Sequence, residues 1–206
     1  MSKDRAEKLM RQLIRFKNGV VADSMAAKGL KYEINYGVPI VNIIEVVKQY
    51  PLDNEFAFEL FNRPEREAKL AATYLIKPDD LTKKELDLLS SQIITDELSE
   101  QISMRIIIKS PHAIQWAIEG CKANNEFRQH ASWLTIGRAS VFDWVLESDI
   151  KPFFEFVDCA DFLSVYVRSA LIYALSRFAL KSDTLKSVVQ HWVNQNIDSD
   201  NEYKHW

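Results

Sequence analysis

The chain has 206 residues, with 26 Lys and Arg against 29 Asp and Glu and a net charge of −3. The length suits one domain with one substantial core. The slightly acidic total excludes the strongly basic class of nucleic-acid-binding proteins, and 5 Gly and 6 Pro are too few breakers for a turn-rich β fold.

Residues 3–28 read as one or two amphipathic helices, with Leu9, Leu13, Phe16, Val20 and Val21 at helical spacing and a kink at Asn18-Gly19. A loop covers 29–36. Gly37-Val38-Pro39 opens a helix to about Tyr50, with Pro suited to the first turn, and Pro51 stops it. Residues 54–61 and 64–76 form a helix pair. Lys77 to Asp80 is a turn. Thr82 and Glu85 have the spacing of a capping box for a helix to about Ile94, followed by a helix over 96–109. Ser110-Pro111 begins the next helix, ending near Lys122. Asn125 caps the one after it. Helices over 149–157 and 161–180 follow, then one from Ser182-Asp183 to about Asn194. Residues 196–206 form a polar tail in which Trp206 is the one group suited to docking. No composition shift divides residues 1–195, which read as a single domain.

Three of these stretches share a pattern: a short aromatic-rich helix, a polar break, then a longer Ala-rich helix. They are 54–76, 111–145 and 151–180. Each second helix opens near an arginine with an alanine two or three places on: Arg66/Ala68, Arg128/Ala131 and Arg168/Ala170. The last two units lie about 40 residues apart, within the range of HEAT-type repeats. A helix pair cannot bury its apolar face alone, so such pairs stack into a rod with a concave surface. The expected fold is therefore an all-α superhelix (solenoid) of HEAT-like helix pairs.

No Gly-rich phosphate loop and no CxxC occurs. Cys121 and Cys159 read as reduced, buried thiols of a cytoplasmic protein. His112, His191 and His205 show no metal-ligand spacing, so neither metal nor cofactor is expected. The charged N-terminus is not followed by a secretory apolar region, and no apolar window approaches a membrane span. Charge is uneven along the chain. Residues 1–50 hold nine Lys/Arg against five Asp/Glu, and residues 51–100 hold six against twelve. A local basic face survives an acidic total, because charges act over roughly 8 Å at physiological salt.

Specific residues suggest a family. Tyr36-Gly37-Val38-Pro39, then Phe58-Glu59-Leu60-Phe61, then Arg63-Pro64-Glu65-Arg66-Glu67 with Ala71-Ala72 beyond, resemble the DNA alkylation repair family, the HEAT-like-repeat alkylpurine DNA glycosylases. Residues 110–116 and 125–134 look like its middle repeats, and 170–175 like a late repeat. The resemblance implies a basic concave groove for duplex DNA. It also implies two aromatic contacts to an alkylated nucleotide, an Asp that positions water, and an Arg on the backbone. Ring faces attract cationic bases, and a fixed carboxylate steadies developing positive charge.

The chain departs from that pattern. The family signature Trp-Asp-x-x-Asp falls on Thr95 to Ser99, so the aromatic matches Thr95 and the catalytic Asp matches Ser99. Glu100 lies one place on, rotated by about 100° on a helix. The Arg position falls on His130 and the late aromatic on Tyr173. A hydroxyl supplies no negative charge, so glycosylase activity is expected to be weak or lost.

Other readings stand beside these. Asp96, Glu97 and Glu100 form a substitute acid cluster or are carboxylates favoured at a helix N-terminus. Arg128, Arg138, Arg168 and Arg177, extended by Arg66 and Lys69, form a phosphate-contacting stripe or pair with acids between repeats. Trp116, Trp133 and Trp144 fall among apolar helix positions, and most of them read as core. The expected partner is duplex DNA, and the alternative is a HEAT-like scaffold for a protein partner.

Overall fold

The computed structural model describes residues 2–162 and 164–196, with side chains left out at 2, 3, 158–162 and 196. The expected tail of 196–206, with Trp206, lies outside the described residues apart from the backbone of 196, as does the side chain of Cys159. The described part is helical, with a single parallel bridge between Ile34 and Glu65 and no strand. It divides into two compact units, one up to Pro111 and one from His112.

The first unit holds α1 (Ser2–Ile14), α2 (Gly19–Ala27), α3 (Ile40–Val47), α4 (Asn54–Phe61), α5 (Arg66–Leu75), α6 (Lys83–Ser91) and α7 (Asp96–Arg105). Asn18 separates α1 from α2 by capping α2, its Oδ1 accepting from the Val21 N–H at 3.2 Å. Asp53 caps α4 in the same way, at 3.1 Å from the Phe56 N–H. Thr82 and Glu85 form the expected capping box, with Glu85 accepting from the Thr82 N–H at 2.8 Å. α5 is the centre of this unit. It packs on α3, α4 and α7, and all but one of its residues are buried.

The second unit holds α8 (Ala113–Cys121), α9 (Glu126–Ala139), α10 (Glu147–Ile150), α11 (Val165–Ala179) and α12 (Asp183–Asn196). α9 and α11 pack along much of their lengths, and α8 packs on α9. Asn125 caps α9 as expected, at 2.9 Å from the Arg128 N–H. Trp116 and Trp133 are in the core.

Three expectations are corrected. The helix expected at Ser110 starts at Ala113. Before it the chain makes a 3₁₀ turn over Ile107–Lys109, because Pro111 disfavours helical geometry at the residue preceding it. The helices expected over 149–157 and from 161 are replaced by α10, a 3₁₀ segment over Lys151–Phe162, and α11 capped by Ser164. Here ring packing prevails over local preference. Phe153 lies 5.9 Å from Trp133 and 6.4 Å from Phe178, and Phe154 lies 5.9 Å from Phe178. Trp144 is the exception among the three tryptophans, 52% exposed. It sits in the non-helical stretch after α9, where helical spacing carries no information about facing.

Candidate functional site

The positions matched to the glycosylase signature lie at the start of α7. Thr95 is its N-cap, with Oγ1 accepting from the Leu98 N–H at 3.2 Å. The hydroxyl of Tyr32 lies 2.9 Å from the same oxygen and donates to Glu97 at 3.0 Å. Burial, then the Glu97 charge, push the Tyr32 phenol far above its ordinary value. Ser99 is fully buried, and its hydroxyl donates to the Thr95 carbonyl at 2.9 Å. Glu100, one residue on, is exposed. The hydroxyl at the matched Asp position therefore faces the inside of the unit.

Glu97 is held by Arg66, whose Nε and Nη2 donate to its two oxygens at 2.8 and 2.5 Å. Arg66 is 1% exposed. Its Nη1 donates to the Val38 carbonyl at 3.0 Å and to Glu67 at 3.2 Å. Glu67 in turn accepts from the Tyr36 and Val38 N–H groups at 3.2 and 3.1 Å. Burial would lower the Arg66 pKa, but the Glu97 hydrogen bonds and charge outweigh it and raise it. This is a fork-to-fork pair of the strong kind. It fastens the loop before α3 to α5 and α7.

The nearby pocket lined by Glu33, Asn62, Arg63, Pro64, Lys69 and Ile94 has its cations engaged as well. Arg63 bridges Glu65 and Glu7, each at 2.7 Å. Lys69 donates to the Phe61 carbonyl and to Gln92, and its burial lowers its pKa.

In the second unit Arg128 is 7% exposed. Its guanidinium lies over the Trp116 ring, 3.1 Å from the centroid, and donates to the Trp116 carbonyl at 2.6 Å and to Ser132 at 2.5 Å. Gly120 makes the space, since a Cβ there would lie 2.0 Å from Arg128 Nη1. His130 is buried beside Tyr166, ring centroids 6.3 Å apart. Tyr173 is half-buried, with Arg177 over its ring at 5.2 Å. Arg138 is half-buried and Arg168 is exposed. Arg66 and Arg128 are thus internal, which separates them from any solvent-facing stripe. Cys121 is buried, and burial raises its thiol pKa.

Two surface features are not legible from residue type and spacing. Lys8, Arg11, Arg15, Lys17, Lys28 and Lys31 are all exposed, and none forms an ion pair among the described residues. Asp23 is the one acid between residues 8 and 31. The uneven charge count pointed to this segment without showing that its cations are unpaired. The second feature is a parallel ring pair, Phe142 and Trp144, 6.2 Å apart and 46% and 52% exposed. Among the described residues there is no group of His, Cys, Asp or Glu suited to holding a metal ion, and no helix long and apolar enough to cross a membrane.

The class of fold is all-α, of HEAT-like helix pairs of the solenoid type. The chain shares the fold of a solved structure from a new family of proteins related to the HEAT-like repeat DNA glycosylases with affinity for branched DNA structures. The TM-score is 0.80 at 18% sequence identity, over 92% of this chain and 82% of that one. No protein-family model and no curated protein matches the sequence.

Proposed function

We propose that the chain is a DNA-binding protein that grips duplex arms through their phosphates and has weak or no glycosylase activity. The observation that carries this is the run of six exposed cations between residues 8 and 31, none in an ion pair among the described residues, set against one acid. Cations that already sit in ion pairs gain little from a phosphate, whereas unpaired ones release the counterions that drive DNA binding. Within the second unit, Arg168 is exposed on α11 and is a separate candidate for phosphate contact, and Arg138, Arg177, Tyr173 and His130 are the other DNA-binding candidates of that unit. The affinity of the structural relative for branched DNA agrees in ligand class.

The chemistry at α7 supports the second half of the proposal. Water activation needs a carboxylate facing the sugar. Ser99 is internal, Glu97 is held by Arg66, and Thr95 is engaged by Tyr32. Glu100 is the one exposed acid of the cluster, and its place on the helix turns it away from Ser99.

The test is a titration of labelled duplex and four-way-junction DNA across a salt series, with an N7-methylguanine release assay on the same protein. Binding whose logarithm falls linearly with log salt, with release at background, is expected. A flat salt response or robust release overturns the corresponding half. The scaffold reading draws on the exposed Phe142–Trp144 pair, since aromatic side chains are enriched at protein interfaces. Absence of DNA binding at low salt would favour it.

A further inference from the structure

We infer that the turn between α1 and α2 is an apolar tip that enters the branch point of a DNA junction, with the cations on either side gripping the arms. The inference rests on the DNA-binding reading and adds the element that selects a branch over a plain duplex.

Arg15-Phe16-Lys17-Asn18 forms this turn, and Gly19-Val20 open α2 directly after it. Phe16 is 43% exposed and Val20 80%, and α2 has no buried residue along its whole length. Two large apolar side chains thus face solvent at a turn where Arg15 and Lys17 are exposed. Lys28 and Lys31 are exposed at the far end of α2, which is nine residues or about 13 Å long. Lys8 and Arg11 continue the charge back along α1. Unpaired cations on both sides of an apolar point suit one kind of occupant: a polyanion with an exposed apolar face.

A DNA branch is such an object. Phosphates of several strands crowd together where the arms meet, and base pairs facing the crossover lack a stacking neighbour. Apolar side chains stack on or wedge between such bases. A plain duplex offers the phosphates without the open face.

The tip is held in place before any ligand arrives. The Asn18 N–H donates to the Tyr36 carbonyl at 2.8 Å, and Phe16 and Lys17 donate to Leu13 and Ile14 at 2.9 and 3.1 Å. Gly37, at φ +67, lies so close that a Cβ there would be 2.1 Å from the Asn18 oxygen and 2.7 Å from the Ala22 nitrogen. A rigid tip loses little conformational entropy on binding.

The experiment compares full-length protein with the Phe16→Ser/Val20→Ser variant, which keeps every cation. Both are titrated with a four-way junction and with a linear duplex of the same total length. The wild type is expected to prefer the junction. The variant should lose about tenfold of junction affinity, as expected for one lost stacking contact, with duplex affinity held within about twofold. Circular dichroism and the thermal midpoint should not change, since both side chains are exposed. A wild-type preference for the junction that survives in the variant overturns the inference, and so does a wild type with equal affinity for both DNAs. In both cases the DNA-binding reading stands. A wild type that binds neither DNA overturns both. A wild-type dimer that the variant converts to monomer, with junction binding unaltered, would assign the tip to a second copy of the chain and overturn the inference.

Discussion

Arg66 and Arg128 carry the same charge as Arg11 and Arg15, in opposite surroundings. The first two are buried, and each reaches back to a main-chain carbonyl, Val38 or Trp116. The other two are exposed without ion pairs on the first helix and the turn after it. A buried guanidinium must satisfy its donors inside the protein, so it is committed to architecture. An exposed one leaves its hydrogen bonds to water and remains available to an anion. The same residue type thus holds the repeat together in one place and is free for a ligand in another.

The sharpest way to break this contrast is Arg66→Met. It strands Glu67 and Glu97 without their cation, and about 3–5 kcal/mol of stability should be lost, as for other broken buried pairs. Denaturant midpoints measure it, and a loss under about 1 kcal/mol would mean the pair is not structural. Ser99→Asp comes next. It inserts a carboxylate at a fully buried position, should cost about 3 kcal/mol, and should gain no base release. A stable variant that excises N7-methylguanine would show that this position does face substrate. Gly120→Ala pushes a methyl into the Arg128 guanidinium and Ser132 and should cost about 1–3 kcal/mol, read from thermal unfolding.

Removing Lys8, Arg11 and Arg15 together should leave stability within about 0.5 kcal/mol. The log–log salt slope of duplex binding should become shallower by about 0.9 for each phosphate contact removed. An unchanged slope would return the DNA contact to the second unit. The smallest effect concerns pH. The Phe56 N–H and then Arg5 hold the Asp53 carboxyl below its ordinary value of 3.8. Its folded pKa is depressed, so its contribution is complete above about pH 4 and fades as pH falls below that. Asp53→Asn should flatten that acid limb of stability, measured by unfolding from pH 5 to 2.

Much of the architecture was legible because its signals are local. Thr82 and Asn125 cap helices where the residue types and spacing place caps, each within three residues of its partner, whereas Asn18, read only as a kink, is the cap of α2. The Arg–Ala repeat marked where second helices start. It did not reveal which way the guanidinium faces, because Glu97 lies 31 residues from Arg66 and Trp116 lies 12 residues before Arg128. Arg168, third in that series, is exposed, so repetition in sequence did not mean repetition in environment. The charge count marked residues 1–50 as basic, but the absence of ion pairs on the cations of residues 8–31, among the described residues, is a property of the folded chain. Phe153 and Trp144 went unread for a shared reason: both lie outside α-helix, where a period of 3.6 predicts nothing about facing.

Gly137 governs how α9 and α11 meet. A methyl in place of its hydrogen would lie 2.9 Å from the Ala174 Cα and 3.0 Å from the Tyr173 ring. The obstacle is main chain and cannot rotate aside, so even alanine would act as a shim, prising α11 off α9. Arg138 is the next residue along, and Arg177 is one helical turn beyond Tyr173 on the opposing helix. One missing carbon atom thus sets the gauge between two arginines borne on separate rails.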